Sequence, residues 1–153
     1  MTAADLARLH RRLGPWLFSR LVCLRAPYFA SIAPRIDALE PGRCTVSFAH
    51  RRRVTNHLGT VHAIALCNAA ELAAGLATEA GLPRSLRWIP RGMQVQYLHK
   101  ALGRMTATAR VAPVDPQLRE GVEVPVEVEV ADPRGTTVFR ATVAMWISPR
   151  PAR

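Results

Sequence analysis

The sequence predicts an α+β fold in which an antiparallel sheet wraps around one long central helix. Three observations support this fold class. A single helical run at about residues 61–80 is apolar on nearly every side, so it must be covered nearly all round. Four strand-like runs follow this helix in succession, and two more precede it. One sheet can cover such a helix only by curling around it.

The N-terminal segment predicts helices. Two short helices are expected at about residues 3–12 and 15–25, separated at Gly14-Pro15 because proline cannot continue a helix. Their apolar side chains form a stripe, which could touch a membrane or close over a lipid pocket. We favour packing on the domain's own core, the commoner fate of such a stripe. The stripe consists of Leu6, Leu9, Leu13, Trp16, Leu17 and Leu21.

Two strands are expected before the central helix. The first, at about residues 31–40, contains Pro34 and is therefore irregular or at an edge. A turn at residues 40–42 follows, where proline presets one torsion angle and glycine accepts a positive one. The second strand places alternate apolar side chains on one face. These side chains are Cys44, Val46 and Phe48.

The central helix is expected to end at the Gly-Leu-Pro run of residues 81–83, before the four later strands. Valines alternate with polar residues from position 122 to position 130, which indicates one buried face and one wet face. Pro125 within this run indicates a bulge or an edge position. The four strands are expected at about residues 91–100, 103–112, 121–131 and 136–148.

The 153 residues fit one domain, with a helical segment at residues 1–27 and a core at residues 28–148. The N-terminus does not resemble a signal peptide, because arginines interrupt its apolar residues. The longest apolar stretch contains Asn68 and Glu71 and is too short to span a membrane, so no stable membrane insertion is expected. We expect a cytoplasmic protein.

Net charge is +10 and is carried mainly by arginine. No nucleic-acid-binding motif accompanies this charge, so no nucleic-acid partner is expected. Attraction of a polyanionic small molecule and a merely solvated basic surface both remain open. Cys23, Cys44 and Cys67 lack metal-ligand or CxxC spacing, which favours free thiols in a reducing compartment. The sequence indicates neither a metal nor another cofactor.

Glu71 is the first charged residue in the central helix, and the next is Glu79. Burying an unpaired carboxylate costs several kcal/mol, so its presence in an apolar helix suggests a catalytic role. The alternative is a structural ion pair with one of the many arginines. Asn68 lies three residues earlier on the same face. It could orient the carboxylate or a water molecule, or it could be a satisfied core amide.

The segment before the helix offers a second group for catalysis. Gly59 permits an unusual turn, and Thr60 is a candidate N-cap. The first amides of a helix lack internal acceptors, so the Ala63 N–H could polarise a carbonyl group of a substrate. His62 and Glu71 are nine residues apart, which is half a turn out of phase. We therefore expect composite sites, with the Ala63 amide from one protomer and Glu71 from its partner.

Asn56, Gly59, His62 and Glu71 together resemble a pattern of the hotdog thioesterase superfamily. The pattern occurs in its phenylacetate-pathway and 4-hydroxybenzoyl-coenzyme A branches. The runs at residues 59–63 and 70–75 are especially similar to a subgroup known only as an uncharacterised hotdog domain, and the resemblance covers about residues 28–148.

This resemblance implies a homodimer or tetramer acting on acyl-coenzyme A or acyl-carrier-protein thioesters. By resemblance, Glu71 is the base or nucleophile and the Ala63 amide is the oxyanion donor. Asn56 and His62 shape the site. Two departures stand out, because Ala63-Ile64 replaces a usual glycine pair and Lys100 replaces a common proline. The residues expected to bind substrate are Asn68, Gly59 and Tyr97.

Two other functions remain open in the same fold. An acyl dehydratase or hydratase would use His57 and Glu71, whose separation of fourteen residues fits that class. A non-catalytic acyl-coenzyme A-binding protein would bind the thioester without turnover. The three remaining histidines are expected on helix or strand surfaces without a role. They are His10, His50 and His99.

Overall fold

The computed structural model describes residues 3–151, so the outermost two residues at each end of the predicted domain lie outside the described part. The described residues form two helices and six strands, with short 3-10 helices at Pro27–Ile32 and Arg52–Val54. The helices and strands are α1 (Ala3–Arg25), β1 (Arg35–Glu40), β2 (Arg43–Phe48), α2 (Ala63–Gly81), β3 (Leu86–Tyr97), β4 (Met105–Val111), β5 (Val122–Ala131) and β6 (Thr137–Pro149).

One antiparallel sheet holds all six strands in the order β1-β2-β4-β5-β6-β3. Helix α2 packs chiefly on β2 and β4. Its sheet-facing side chains are small, which lets the helix axis lie close to the strands. They include Ala69, Ala70, Ala73, Ala74 and Ala77, all 0% exposed. The predicted α+β class, with one sheet wrapped around one central helix, is confirmed.

Helix α1 is two helices joined at a kink, as predicted. Gly14 has φ 71° and ψ 164°, a backbone conformation outside the helical region, and Pro15 follows it. The predicted stripe is only half right. Leu6 is buried in the core and Leu9 and Leu13 pack against it, but the stripe residues after the kink are exposed, and Phe18 faces the core in their place. The exposed apolar side chains of this half are Trp16, Leu17, Leu21 and Leu24.

Two strand boundaries differ from the predictions. The expected first strand begins at Arg35 rather than near residue 31, because a 3-10 helix occupies residues 27–32 and Ala33 adopts φ 46°. Strand β3 begins at Leu86 rather than near residue 91, because the strand continues through Pro90, where the sequence pattern predicts an interruption. Because β3 is an edge strand, proline costs it no ladder partner, and the register shifts between Pro90 and Gly92.

Pro125 lies in β5, between β4 and β6 in the sheet order. The predicted bulge at this position is wrong, because the register of β5 against β6 shifts at Val130/Ala131 instead. The predicted edge position is confirmed for Pro125 itself, although β5 as a whole lies inside the sheet. Strand β4 ends at the Val111–Val126 pair, so Pro125 has no β4 neighbour to which it would donate.

Among residues 3–151, no helix is both long and apolar enough to cross a membrane. The division of the chain at residues 27 and 28 stays a prediction. His10 lies between α1 and β1 rather than on the surface, where it was predicted. It is 6% exposed, and its Nε2 atom lies 2.8 Å from the Ile36 carbonyl oxygen.

Candidate functional site

The sheet covers one side of α2 and leaves a narrow face of its N-terminal half uncovered. Ile64 is 55% exposed, Cys67 is half-buried and Glu71 is exposed. Their spacing of three and four residues puts them in one row along the helix. We call this row of Ile64, Cys67 and Glu71 the open face.

Glu71 is the charged residue of the open face. The expectation that it is buried is wrong for the single chain, because the sheet covers the opposite side of the helix. Within residues 3–151, Glu71 forms no hydrogen bond and no ion pair, so the expected structural alternative of an arginine partner is not observed. Its carboxylate is therefore available to a substrate or to a second protein chain.

Tyr97 borders the open face from the end of β3. Its hydroxyl lies 3.5 Å from the Cys67 sulfur, and its ring lies 5.5 Å from the Phe139 ring. The hydrogen bond with Cys67, together with partial burial, raises the pKa of Tyr97 to about 12. The structure thus brings Tyr97 beside the helix face that carries Glu71.

The loop before α2 is organised by Asn56. The Asn56 Oδ1 atom accepts hydrogen bonds from the amides of Leu58 and Thr60 at 3.0 and 3.2 Å. Its Nδ2 atom donates to the Thr60 hydroxyl at 2.9 Å. Gly59, with φ 74°, provides the positive torsion angle in this turn. The side-chain hydrogen bonds of Asn56 therefore fix the shape of the loop and are not directed at a ligand.

His50 is a second support of this loop, so the prediction that it lies on a strand or helix surface without a role is wrong. Its Nδ1 atom accepts from the Gly103 amide at 3.1 Å, and its Nε2 atom lies 3.0 Å from the Gly59 carbonyl oxygen. These contacts fit the tautomer with the proton on Nε2. His50 joins the loop before α2 to the turn before β4. No local pattern reveals this contact, because His50 and Gly103 are 53 residues apart.

The helix begins differently from the prediction. His62, not Thr60, is the N-cap, and its Nδ1 atom accepts from the Ile64 amide at 3.1 Å. Thr60 is instead held by Asn56. The Ile64 amide is thereby occupied, whereas the half-buried Ala63 amide has no acceptor within the described chain. Ala63 carries the amide that remains available at the positive end of the helix.

A groove of about 200 Å³ runs from the start of α2 to Asn68, with His62, Ile64 and Ser31 in its walls. Asn68 is 7% exposed, and its Nδ2 atom donates to the Ser31 hydroxyl at 3.0 Å. Its Oδ1 atom is buried and has no hydrogen-bond partner. An unpaired buried acceptor costs about 1–3 kcal/mol, which makes this atom a candidate contact for a ligand or water.

Ala63 and Glu71 do not meet within one chain. Eight residues separate them, which corresponds to about 12 Å along the helix axis. A single carbonyl group cannot contact both groups at that distance. Elsewhere in the described residues, no group of three or more histidine, cysteine, aspartate or glutamate side chains is arranged to hold a metal.

Residues 14–147 match the model of a family described as a domain of unknown function, DUF4442. No curated protein matches the chain. A protein solved by a structural-genomics effort is 46% identical and has a TM-score of 0.84, with coverage of 97% of this chain and 99% of that one.

Two more distant structures carry a thioesterase description. A Pseudomonas aeruginosa protein of unknown function, described as a probable thioesterase, is 22% identical with a TM-score of 0.76, covering 86% of this chain and 93% of its own. A Haemophilus influenzae thioesterase is 13% identical with a TM-score of 0.72, covering 84% and 87%. These similarities confirm the predicted hotdog fold.

Proposed function

We propose that this chain, which belongs to the DUF4442 family, hydrolyses acyl thioesters of coenzyme A or of an acyl carrier protein. The observation that carries the proposal is the unpartnered carboxylate of Glu71 on the uncovered face of an otherwise buried helix. The thioesterase descriptions of distant hotdog structures support the same reaction class.

The proposed active site is composite. In an antiparallel pair of α2 helices, the Ala63 amide of one protomer would lie beside Glu71 of its partner. The two-fold axis would then pass near Cys67, which is halfway between these residues on the open face. Two equivalent sites would result, one on each side of the axis. The separation of about 12 Å within one helix is thereby bridged by the second chain.

In the proposed reaction, the thioester carbonyl oxygen accepts a hydrogen bond from the Ala63 amide. The amide and the positive end of α2 stabilise the negative charge that develops on this oxygen. Glu71 accepts a proton from a water molecule as that water attacks the carbonyl carbon. The carbon–sulfur bond then breaks, the proton passes to the leaving sulfur, and a carboxylic acid and a thiol are released. Direct attack by the Glu71 carboxylate is the alternative route.

The other predicted site residues take supporting roles in this proposal. Asn56 holds the loop in shape, and Gly59 provides its positive torsion angle. His62 caps the helix and consumes the Ile64 amide, leaving the Ala63 amide for substrate. The unpaired Oδ1 atom of Asn68 would accept a hydrogen bond from a water molecule or from a substrate amide. Tyr97 would line the substrate side of the open face.

We further propose a homodimer, or a tetramer built from such dimers, located in the cytoplasm. Exposed apolar side chains border the open face and the free edge of β3, which supports association there. Ile64, Ile89 and Tyr97 are 55%, 60% and 53% exposed in the single chain. Burial of these side chains against a second copy would favour the dimer.

A thiol-release assay tests the proposed reaction. The panel would contain short, medium, long and aromatic acyl-coenzyme A substrates and an acyl carrier protein, each tested with the wild-type protein, Glu71→Ala and Glu79→Ala. We expect thiol release by the wild type and by Glu79→Ala, and a large loss in Glu71→Ala. Equal, slow rates for all three on every substrate would refute hydrolysis. Hydration of an enoyl thioester would then indicate the dehydratase class with His57, and binding alone a non-catalytic protein.

Cross-linking tests the composite site. Oxidation of a Cys23→Ser variant should link Cys67 of one protomer to Cys67 of its partner, because both lie near the proposed axis. Cys44 is 0% exposed and should not cross-link. A mixed dimer would pair a Glu71→Ala protomer with a protomer whose Ala63 amide is blocked. It should retain one intact site, formed by the free Ala63 amide and the remaining Glu71. A strictly monomeric species with full activity would contradict this arrangement.

A further inference from the structure

We propose that a groove between α1 and the start of β1 binds an amphipathic anion with one aliphatic chain, of the fatty-acid class. The groove has a volume of about 570 Å³, within the roughly 300–1,000 Å³ of small-molecule sites. We call it the α1 groove, and its walls include Trp16, Cys23, Leu24, Ala33 and Pro34. Neither Glu71 nor Ala63 lines it, so this binding site is separate from the proposed catalytic one.

The walls of the α1 groove are apolar and partly uncovered. Trp16 is 69% exposed and Leu24 is 77% exposed, although both lie on a helix whose other face is packed in the core. Both side chains follow the kink at Gly14 and lie on the side of this half-helix opposite the buried Phe18. An aliphatic chain in the groove would remove part of this apolar surface from water, which is favourable in proportion to the area covered.

The charged residues of the α1 groove are all positive. Within the described chain, no carboxylate lines the groove. Among residues 3–151, Arg35 is the one lining arginine with an ion pair, to Asp37 at 3.0 Å. The positive charge therefore exceeds the negative charge locally, which favours an anionic head group. The lining arginines are Arg20, Arg35, Arg51 and Arg104.

The other three arginines form no ion pair with the residues that the structure describes. Arg51 donates to a backbone carbonyl oxygen at 3.3 Å, and Arg104 donates to the Ser47 hydroxyl at 3.4 Å. Arg20 stacks over the Trp16 ring at 5.5 Å. A guanidinium group has five N–H donors, so these contacts leave donors for a carboxylate. The head group would thus exchange water for charge-assisted hydrogen bonds.

The polar groups of the groove argue for an aliphatic chain rather than a nucleotide base. Ser19 is the lining residue with a neutral hydroxyl group. Its oxygen already donates to the Pro15 carbonyl and accepts from the Ile36 amide. The arginines offer donors only, so the N–H groups of a base would find no free hydroxyl or carboxylate acceptor among the lining side chains of the described chain and would lose their hydrogen bonds to water. A hydrocarbon chain has no such requirement.

A short stretch of chain divides the α1 groove from the groove at the start of α2. Ser31 and Ile32 line the groove of α2, whereas Ala33 and Pro34 line the α1 groove. Arg51 donates to the Ile32 carbonyl oxygen and ties this stretch to the segment after β2. Leu24 and Arg104 line the α1 groove but not the groove of α2. Substitutions of these two residues can therefore test binding without altering Glu71 or the start of α2.

Calorimetric titration with dodecanoate below its micelle concentration tests this binding site. We expect saturable binding at one site per chain, and no binding of the cationic dodecyltrimethylammonium. Arg104→Glu should weaken binding at least about tenfold, the size of one lost charge-assisted hydrogen bond. Leu24→Asp should weaken it similarly by placing a charge where the chain lies. Arg119→Glu, an equal charge change in an exposed loop, is the control and should leave binding unchanged.

Alkylation of Cys23 locates the bound molecule. In a Cys67→Ser background, dodecanoate should slow alkylation of Cys23 with the same midpoint as the calorimetric titration. Burial raises the pKa of the Cys44 thiol, so Cys44 contributes little to this signal. Arg104→Glu should shift the midpoint, whereas Arg119→Glu should not.

Several results would overturn the α1-groove proposal. They are equal binding of the cationic chain, equal effects of Arg104→Glu and Arg119→Glu, or binding only to anionic vesicles, which would indicate a lipid surface. Protection of Cys23 that rises with protein concentration alone would indicate a second copy of the chain in the groove. Thiol release separates this proposal from the catalytic one. Arg104→Glu and Leu24→Asp should hydrolyse thioesters at the wild-type rate even where they no longer bind dodecanoate.

Discussion

The two halves of α2 differ in what covers them. In the C-terminal half, Trp88 of β3 lies over Gly75, and its indole nitrogen donates to Glu79 at 2.6 Å. In the N-terminal half, Glu71 has no partner within the described residues. Two glutamates of one helix thus have opposite surroundings. The difference separates a carboxylate with a structural function from one that is left for a ligand or a second chain.

We call the contact of Trp88 with Gly75 and Glu79 the clamp. Gly75 explains why the clamp forms at this point of the helix. A Cβ atom at this position would lie 2.8 Å from Cη2 of Trp88, closer than van der Waals contact permits. Glycine lets the indole ring lie on the helix and brings its nitrogen to Glu79. Among the described residues, no aromatic side chain lies across Glu71 in this way, and Tyr97 contacts the open face at Cys67.

Exchange of the two carboxylates for amides should give the largest difference between the two halves. Glu71→Gln should lower kcat/KM for a thioester substrate by about 10²–10⁴, the usual contribution of a general base. Its free energy of unfolding should change by less than about 0.5 kcal/mol, because Glu71 is exposed and unpartnered. Thiol release and urea unfolding measure the two quantities.

Glu79→Gln is the matched control, because glutamine retains an oxygen that can accept from Trp88. It should keep kcat/KM near the wild-type value. If the two variants lost activity equally, the proposed assignment of Glu71 as the catalytic carboxylate would be wrong.

The clamped half should respond to substitution through stability. Gly75→Val should lower the free energy of unfolding by about 1–3 kcal/mol, the usual cost of overpacking. The same substitution in a Trp88→Ala background should cost less, because the ring that it would strike is gone. Urea unfolding of the four proteins in this cycle measures the coupling. Equal costs in both backgrounds would show that Trp88 does not clamp the helix.

The hydrogen bond of the clamp should contribute a smaller amount. Glu79→Ala should cost about 1–2 kcal/mol, because it removes a charge-assisted acceptor from a half-buried indole N–H. In a Trp88→Phe background the donor is absent, so the same substitution should cost little. Urea unfolding again provides the measurement, and additive effects of the two substitutions would exclude the bond as a source of stability.

The sequence predicts the central helix and most of the sheet, because apolar periodicity depends on local chemistry. It does not reveal which side of α2 the sheet covers, so Glu71 was expected to be buried. It names Thr60 as the cap because serine and threonine are common caps, whereas His62 takes this position through its Nδ1 atom. The His50 contact with Gly103 joins distant parts of the chain, so only the folded structure reveals it.

The kink at Gly14 illustrates the same limit at the N-terminus. Gly14-Pro15 predicts a break correctly, but the rotation across the break decides which leucines face the core. One continuous stripe was expected, yet Leu6 is buried and Leu21 is 43% exposed. Of the predicted stripe, Trp16 lines the α1 groove instead of the core.

The smallest expected effect concerns the contact between Tyr97 and Cys67 of the open face. Cys67→Ala should lower the pKa of Tyr97 from about 12 toward its ordinary value, because the hydrogen bond with Cys67 is the main cause of the shift. A raised pKa means that folding favours the neutral phenol. The stabilisation is therefore complete below the unfolded pKa of about 10 and is lost as the pH rises through 12.

Spectroscopic titration of the phenolate band measures this shift, with Cys23→Ala as the control that should leave Tyr97 at about 12. Tyr97 is 53% exposed, so solvent should keep the accompanying change in stability small. An unchanged titration in Cys67→Ala would mean that Tyr97 does not contact the helix. Tyr97 would then lose its proposed place beside the substrate.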